Sequence, residues 1–259
     1  MNKLYLLIII SFFISCEKKI EKKDENGNLM KLYYLNSKGN LNGTYKKFDG
    51  NGKISVIHNY DNGKLIDSSI YYKNGIINEI IYVKNSDTNF VKIFNNGKIY
   101  AIGNSYNKKK VGKWNFYNKD KLSKTIEFIN LCGNQYTNQG WDYINKEKSN
   151  FYEIKGLKSM YRKNENIFAQ IDYHSLWKNE SFSIFKFSPY TKDDYCDIDL
   201  IELDVIKSEN HKFILKVNFS KSGKKILRGY INEFKFVKEN NKKFTLERRM
   251  YIEIPIDIK

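Results

Sequence analysis

Catalysis and metal binding draw on few side-chain types, and this chain is sparing with them. It has three cysteines, Cys16, Cys132 and Cys196, and three histidines, His58, His174 and His211. The histidines lie far apart and no motif frames them, so a Cys–His nucleophile has no local signature. Acidic residues cluster once, at Asp193, Asp194, Asp197, Asp199, Glu202 and Asp204. Carboxylates at alternate strand positions, such as Asp197 and Asp199, share a face and could offer oxygens to Ca²⁺. Leu200-Ile201 then shifts Glu202 and Asp204 to the opposite parity, and no EF-hand spacing is present. A solvated strand face paired with neighbouring lysines is the expectation. No metal, cofactor or catalytic constellation is expected, and the chain reads as a non-enzyme. A hydrolase would need polar side chains gathered in a cleft, which no pattern here indicates.

Aromatic residues are the richer resource, at 15% of 259 residues. Tyr45, Tyr60, Trp114, Tyr117, Trp141 and Tyr143 stand beside turn glycines or in the runs that those glycines separate. Exposed, such rings could stack on glycans or lipid headgroups; buried, they would fill a narrow core between hairpins. Charge is the other prominent feature: 45 Lys+Arg against 29 Asp+Glu leaves a formal +16. The excess is lysine, with arginine only at Arg162, Arg228, Arg248 and Arg249. Bidentate base recognition favours arginine, so no nucleic-acid partner is expected.

Strands must position these rings. Asn-Gly or a variant recurs at Asn26-Gly27, Lys38-Gly39, Asn51-Gly52, Asn62-Gly63, Asn74-Gly75 and Asn96-Gly97, with glycines 12, 13, 11, 12 and 22 residues apart. Asn-Gly suits a type I′ turn because both central residues need positive φ. Between the turns lie β-branched, proline-free runs such as 53–60 and 76–83. The pattern predicts consecutive hairpins, with Ser86 to Thr88 supplying the turn missing between Gly75 and Gly97. After Gly156 the punctuation stops and longer period-2 runs take over: 167–173, 182–187, 197–206, 213–219, 230–237 and 251–258. Six or seven such strands in about a hundred residues suit an antiparallel β-sandwich of immunoglobulin-like architecture. Phe213, Leu215, Val217 and Phe219 form one expected stripe, and Ile252, Ile254, Ile256 and Ile258 another. Tyr230, Asn232, Phe234 and Phe236 form a third stripe. Pro255 argues for an edge strand. Cys132 falls in the hairpin region and Cys196 in the sandwich. Two buried free thiols are expected, with a disulfide as the alternative in an oxidising compartment.

The N-terminus sets the compartment. Lys3, the apolar run Leu4 to Ile14, then Ser15-Cys16 and Glu17-Lys18-Lys19 read as an export signal too short to span a bilayer. Ser15-Cys16 resembles the lipobox of bacterial lipoproteins. The resemblance implies cleavage after Ser15, acyl chains on Cys16 and a lipid anchor in the cell envelope, the outer membrane favoured. Residues 17–28 then read as a charged, flexible tether. The runs Gly43-Thr-Tyr45, Gly52-Lys-Ile54, Tyr60-Asp-Asn-Gly63-Lys-Leu65 and Gly112-Lys-Trp114 resemble MORN-type repeats, with Gly140-Trp141-Asp-Tyr143 as a degenerate last copy. The repeat logic expected is that each glycine lets strands approach closely while the neighbouring aromatic stacks on the next repeat.

The whole is an all-β chain: signal 1–15, lipidated Cys16 and tether 16–28, MORN-like hairpin meander 29–150, and C-terminal antiparallel β-sandwich 151–259. The MORN resemblance implies a binding or scaffold surface for an unidentified protein or glycan. Exported members resemble proteins labelled YwqK-family antitoxins, which implies a partner-masking alternative. A glycan-binding protein or hydrolase of the envelope is a second alternative.

Overall fold

The computed structural model describes residues 17–85, 87–177, 180–240 and 242–259. The signal segment and Cys16 lie outside the described residues. The chain is all-β, and strands β1 to β11 follow one another in the sheet in chain order, each antiparallel pairing described joining sequence neighbours. It forms two compact units, dividing after Lys98.

The first unit holds β1 (Lys18–Lys23), β2 (Leu29–Leu35), β3 (Gly43–Phe48), β4 (Ile54–Asp61), β5 (Lys64–Lys73), β6 (Ile76–Val83) and β7 (Thr88–Asn95). The expected tether is therefore shortened. Its Lys-rich stretch pairs with β2 over Lys18 to Lys23, because Ile20 alternates with charges and can lie opposite Tyr33. The turns are of two kinds. Asn62-Gly63, Asn74-Gly75 and Asn96-Gly97 have positive φ at both residues, as a type I′ turn requires. At the earlier turns only the glycine is left-handed, and an Asp or Asn opening the turn does the rest by binding the N–H groups two and four residues on. Asp24, Asn36 and Asp49 each accept two backbone N–H groups through Oδ1. Between β6 and β7, Asn85 plays the same part for Asp87 and Thr88.

Among its described residues only Ser68, Ser69 and Val91 are buried. This unit therefore has no two-layer core of the usual sort. Cross-strand pairs along an extended ribbon carry its stability instead.

The second unit continues with β8 (Lys98–Tyr106), β9 (Lys109–Asn118), β10 (Lys121–Leu131) and β11 (Asn134–Asp142). A 3₁₀ turn over Lys146–Lys148 follows. The seven sandwich strands are β12 (Phe151–Lys155), β13 (Ile167–His174), β14 (Ser181–Ser188), β15 (Asp204–Lys207), β16 (Lys212–Val217), β17 (Gly223–Glu239) and β18 (Lys242–Ile258). They form a three-stranded sheet, β12-β13-β16, and a four-stranded sheet, β15-β14-β17-β18. Phe213, Leu215, Ile167 and Ile171 of the first meet Phe185, Leu227, Ile231, Ile252 and Ile254 of the second in one core. The constant-type immunoglobulin order groups the strands four and three. Here the fourth strand, β15, pairs with the third, β14, so the grouping is three and four. Pro255 sits on the edge strand β18, as its missing N–H requires.

Three expectations about this unit are corrected. Residues 197–203 are not strand; only Asp204–Lys207 is. On β17 the residues facing the sandwich core are Leu227 and Ile231, not the Tyr230–Phe236 stripe. Tyr230 packs with Tyr251, Tyr195, Ile198 and Tyr136 on the opposite face, beneath the 189–203 loop and the β10–β11 hairpin. Both faces of the strand centre are thus covered, so parity alone does not choose between them. Third, Cys132 and Cys196 are joined as a disulfide, with Cα atoms 4.9 Å apart. Cys132 occupies the β10–β11 turn with φ of 49°, and its N–H donates to the Asp194 carbonyl, which brings the two thiols together.

The same docking explains why β8 to β11 belong with the sandwich. The Asn138 side-chain amide accepts from the Tyr251 N–H at 2.7 Å and donates to the Tyr251 carbonyl at 2.9 Å, imitating a neighbouring strand along β18. Tyr136 Oη donates to the Arg249 carbonyl at 2.7 Å.

Candidate binding surface

In the first unit the register assembles an aromatic row. Tyr45 lies directly opposite His58, and Tyr33 stacks on Tyr45 with centroids 5.9 Å apart and planes 25° apart. Tyr60 meets both Tyr45 and His58 edge-on at 6.3 and 6.1 Å, and Tyr71 meets His58 edge-on at 5.8 Å. Lys31 and Lys47, two residues along their strands from Tyr33 and Tyr45, share this face and oppose each other. Burial pushes the His58 ring below the usual histidine range, and Nδ1 lies 2.8 Å from Ser69 Oγ. Burial likewise raises the Tyr60 and Tyr71 phenols. The row is thus a strip of four phenol rings and one imidazole flanked by lysines, and all five rings are half-buried. It can stack and hydrogen-bond; it offers no strong nucleophile.

Tyr45 and Tyr60 therefore stand together, whereas the other four candidate rings belong to the second unit. Trp114 is only 1% exposed, lies over Gly103 and donates from Nε1 to the Asn104 carbonyl at 2.7 Å. It is a core residue and cannot meet a ligand. Tyr117 is half-buried. Trp141 is half-buried, stacked on Phe151 at 5.8 Å and covered by Lys113 Nζ at 4.7 Å. Tyr143 is 49% exposed, its hydroxyl 3.3 Å from Thr125 Oγ1. Beside Trp141 is a recess of about 330 Å³ lined also by Thr125, Asn138, Gln139, Lys148 and Arg248. Arg248 Nη2 and Asn150 Oδ1 are buried there without a hydrogen-bond partner among the described residues.

Two of the glycines beside these aromatics act through conformation. Gly43 and Gly112 have φ of 79° and 64° with open space where a Cβ would stand, so they are needed for the left-handed backbone. Close approach is the task of Gly103, which lies outside the repeat motifs.

The acidic cluster has a structural role. Asp193 and Glu253 hold the buried Arg228 guanidinium at 2.8 and 3.2 Å, and the Thr191 carbonyl accepts a third bond from it at 3.3 Å. Both Asp199 oxygens lie 2.8 Å from Arg249 Nη1. The partners are arginines of β17 and β18, not the lysines that sequence proximity suggested. Among the described residues no group of three His, Cys, Asp or Glu side chains is placed to hold a metal ion.

One polar cluster has no sequence signal at all. Glu233, 1% exposed, accepts from Tyr173 Oη at 2.6 Å, from Ser181 Oγ at 2.5 Å and from Ser175 Oγ. Burial, reinforced by the Glu233 charge, pushes the Tyr173 phenol well above its usual range and keeps it a donor. Three hydroxyl donors satisfy a buried carboxylate here. Compared with protein-family models, curated proteins and solved structures, the chain matches none of them.

Proposed function

We propose that this is an envelope lipoprotein, anchored through Cys16, whose MORN-like hairpin meander serves as a non-catalytic binding or scaffold surface. The carrying observation is the first unit: one sheet, almost without buried residues, with the Tyr33–Tyr45–His58–Tyr60–Tyr71 row half-open on one face. A fold that leaves such rings partly uncovered gives up burial that a second layer would supply. Binding by a sugar ring or an extended peptide recovers it through stacking and phenol hydrogen bonds.

The anchor and the surface are tested separately. Fatty-acid labelling and membrane fractionation compare wild type with Cys16→Ala. Label on both proteins, or on neither, overturns the anchor. For the surface, crosslinking in intact cells compares wild type with Tyr45→Ala/Tyr60→Ala. The same captured partners at the same yield from both overturn the aromatic row as the binding face.

A further inference from the structure

The sandwich ends in a feature that the fold itself does not use. Among the described residues, the last of β14 to pair with β17 at this end is Ser181, opposite Lys235. Beyond it, among the described residues, Phe236 to Glu239 and Lys242 to Thr245 pair only with each other, as a two-stranded ribbon. Such a ribbon gains little from apolar side chains unless something covers them. Yet Phe236 is 71% exposed, and Phe182, 47% exposed at the ribbon's base, stacks on Phe236 at 5.6 Å and on Phe234 at 5.0 Å. The opposite face carries Phe244 and Leu246, each 41% exposed. Apolar groups therefore stand on both faces.

The charges on the ribbon narrow the choice. Lys238 lies directly opposite Lys243, a like-charge pair that disfavours the hairpin in water. Glu239 opposes Lys242, and Glu247 at the base is already bound by Asn232 Nδ2 at 2.9 Å and Arg249 Nε at 3.4 Å. A flat protein partner would cover one face and leave the other wet. A lipid interface surrounds an inserted ribbon on both faces, and anionic headgroups neutralise the facing lysines.

We infer that the β17–β18 ribbon inserts its phenylalanines into the interface of an anionic lipid membrane. This contact is independent of acylation at Cys16, so either can fail without the other.

The test uses a chain beginning at Glu17, which keeps every described strand and lacks the anchor, in flotation with phosphatidylglycerol/phosphatidylcholine vesicles. Wild type is expected to float with mixed vesicles, to float poorly with pure phosphatidylcholine, and to be released by salt. Phe236→Ser/Phe244→Ser is expected to weaken binding by about 30-fold. Lys238→Gln/Lys243→Gln should weaken it by about five-fold per lysine and flatten the salt dependence. In Phe236→Trp, indole emission should shift to the blue on vesicle addition, a readout that survives if the serine variant fails to fold. Absence of wild-type binding to anionic vesicles overturns the proposal, as does equal binding by the serine variant or an unshifted Phe236→Trp spectrum. Self-association abolished by the serine variant, without vesicle binding, would assign the ribbon to a second copy instead.

Discussion

Gly103→Ala adds one methyl group where the structure has no room for it. An ideal Cβ there would stand 2.4 Å from Cγ and Cδ2 of Trp114. Carbon atoms settle near 3.5–4.0 Å, so the indole must retreat by about 1 Å. It has nowhere easy to go, being 1% exposed and held by its Nε1–H bond to the Asn104 carbonyl. Overpacking of this kind costs about 1–3 kcal/mol, and losing the buried hydrogen bond adds about 1 kcal/mol. A loss of about 2–4 kcal/mol is expected for the second unit. Urea unfolding monitored by tryptophan fluorescence and far-UV circular dichroism measures it. The decisive control is the Trp114→Leu background. Removing the ring is itself destabilising, but Gly103→Ala should then cost little, giving a coupling energy above about 1.5 kcal/mol. A cost below about 0.5 kcal/mol in wild type, or equal costs in both backgrounds, would refute the reasoning.

Other perturbations separate the remaining claims. Cys132→Ser/Cys196→Ser opens a link spanning 64 residues and should destabilise the second unit by about 4 kcal/mol on the chain-entropy scale; unchanged urea midpoints with and without reductant would contradict the pairing. Burial holds the folded-state His58 pKa below its ordinary value. The unfolded chain therefore takes up the proton first, and stability is lost as pH falls from above about 6.5 toward the folded value. Thermal melts of wild type and His58→Gln between pH 7.5 and 5.5 should show the steeper decline in wild type; parallel profiles would remove His58 as the cause. Lys119 and Asp120 hold φ of 49° and 62° in the β9–β10 turn. Lys119→Asn/Asp120→Gly should raise stability by about 1 kcal/mol, measured as a higher urea midpoint.

The hairpins were legible where chemistry is local. Asn-Gly forces the left-handed pair at 62–63, 74–75 and 96–97, and alternation exposes the isoleucine face of β18. The turns at Asn107-Lys108, Lys119-Asp120 and Cys132-Gly133 adopt the same left-handed pair without Asn-Gly, because strand pairing on either side over-determines them. What the sequence hid is non-local. Nothing in the 189–203 loop announces that Asp193 and Asp199 will meet arginines some 35 and 50 residues away. Period 2 divides β17 into two faces but does not say that both are covered. Among the six candidate rings, nothing local separates Tyr45 and Tyr60, which meet edge-on across the sheet, from Trp114, which is buried over Gly103. Phe236 falls in the third stripe yet is exposed, because an exposed phenylalanine has the same pattern as a buried one.

The first unit's single layer has an arithmetical consequence. Each strand there is stabilised almost entirely by the strands beside it, so its energetics approximate a row of nearest-neighbour terms. Inserting or deleting a whole hairpin would then alter reach without disturbing any distant packing, by about 9.6 Å for two strands. The seven strands β1 to β7 already extend roughly 30 Å from first to last on the same spacing. Such a sheet behaves as a ruler whose length is set by repeat number, and β1, edged with Lys18, Lys19, Lys22 and Lys23, is the end at which charge stops it from growing onto another molecule.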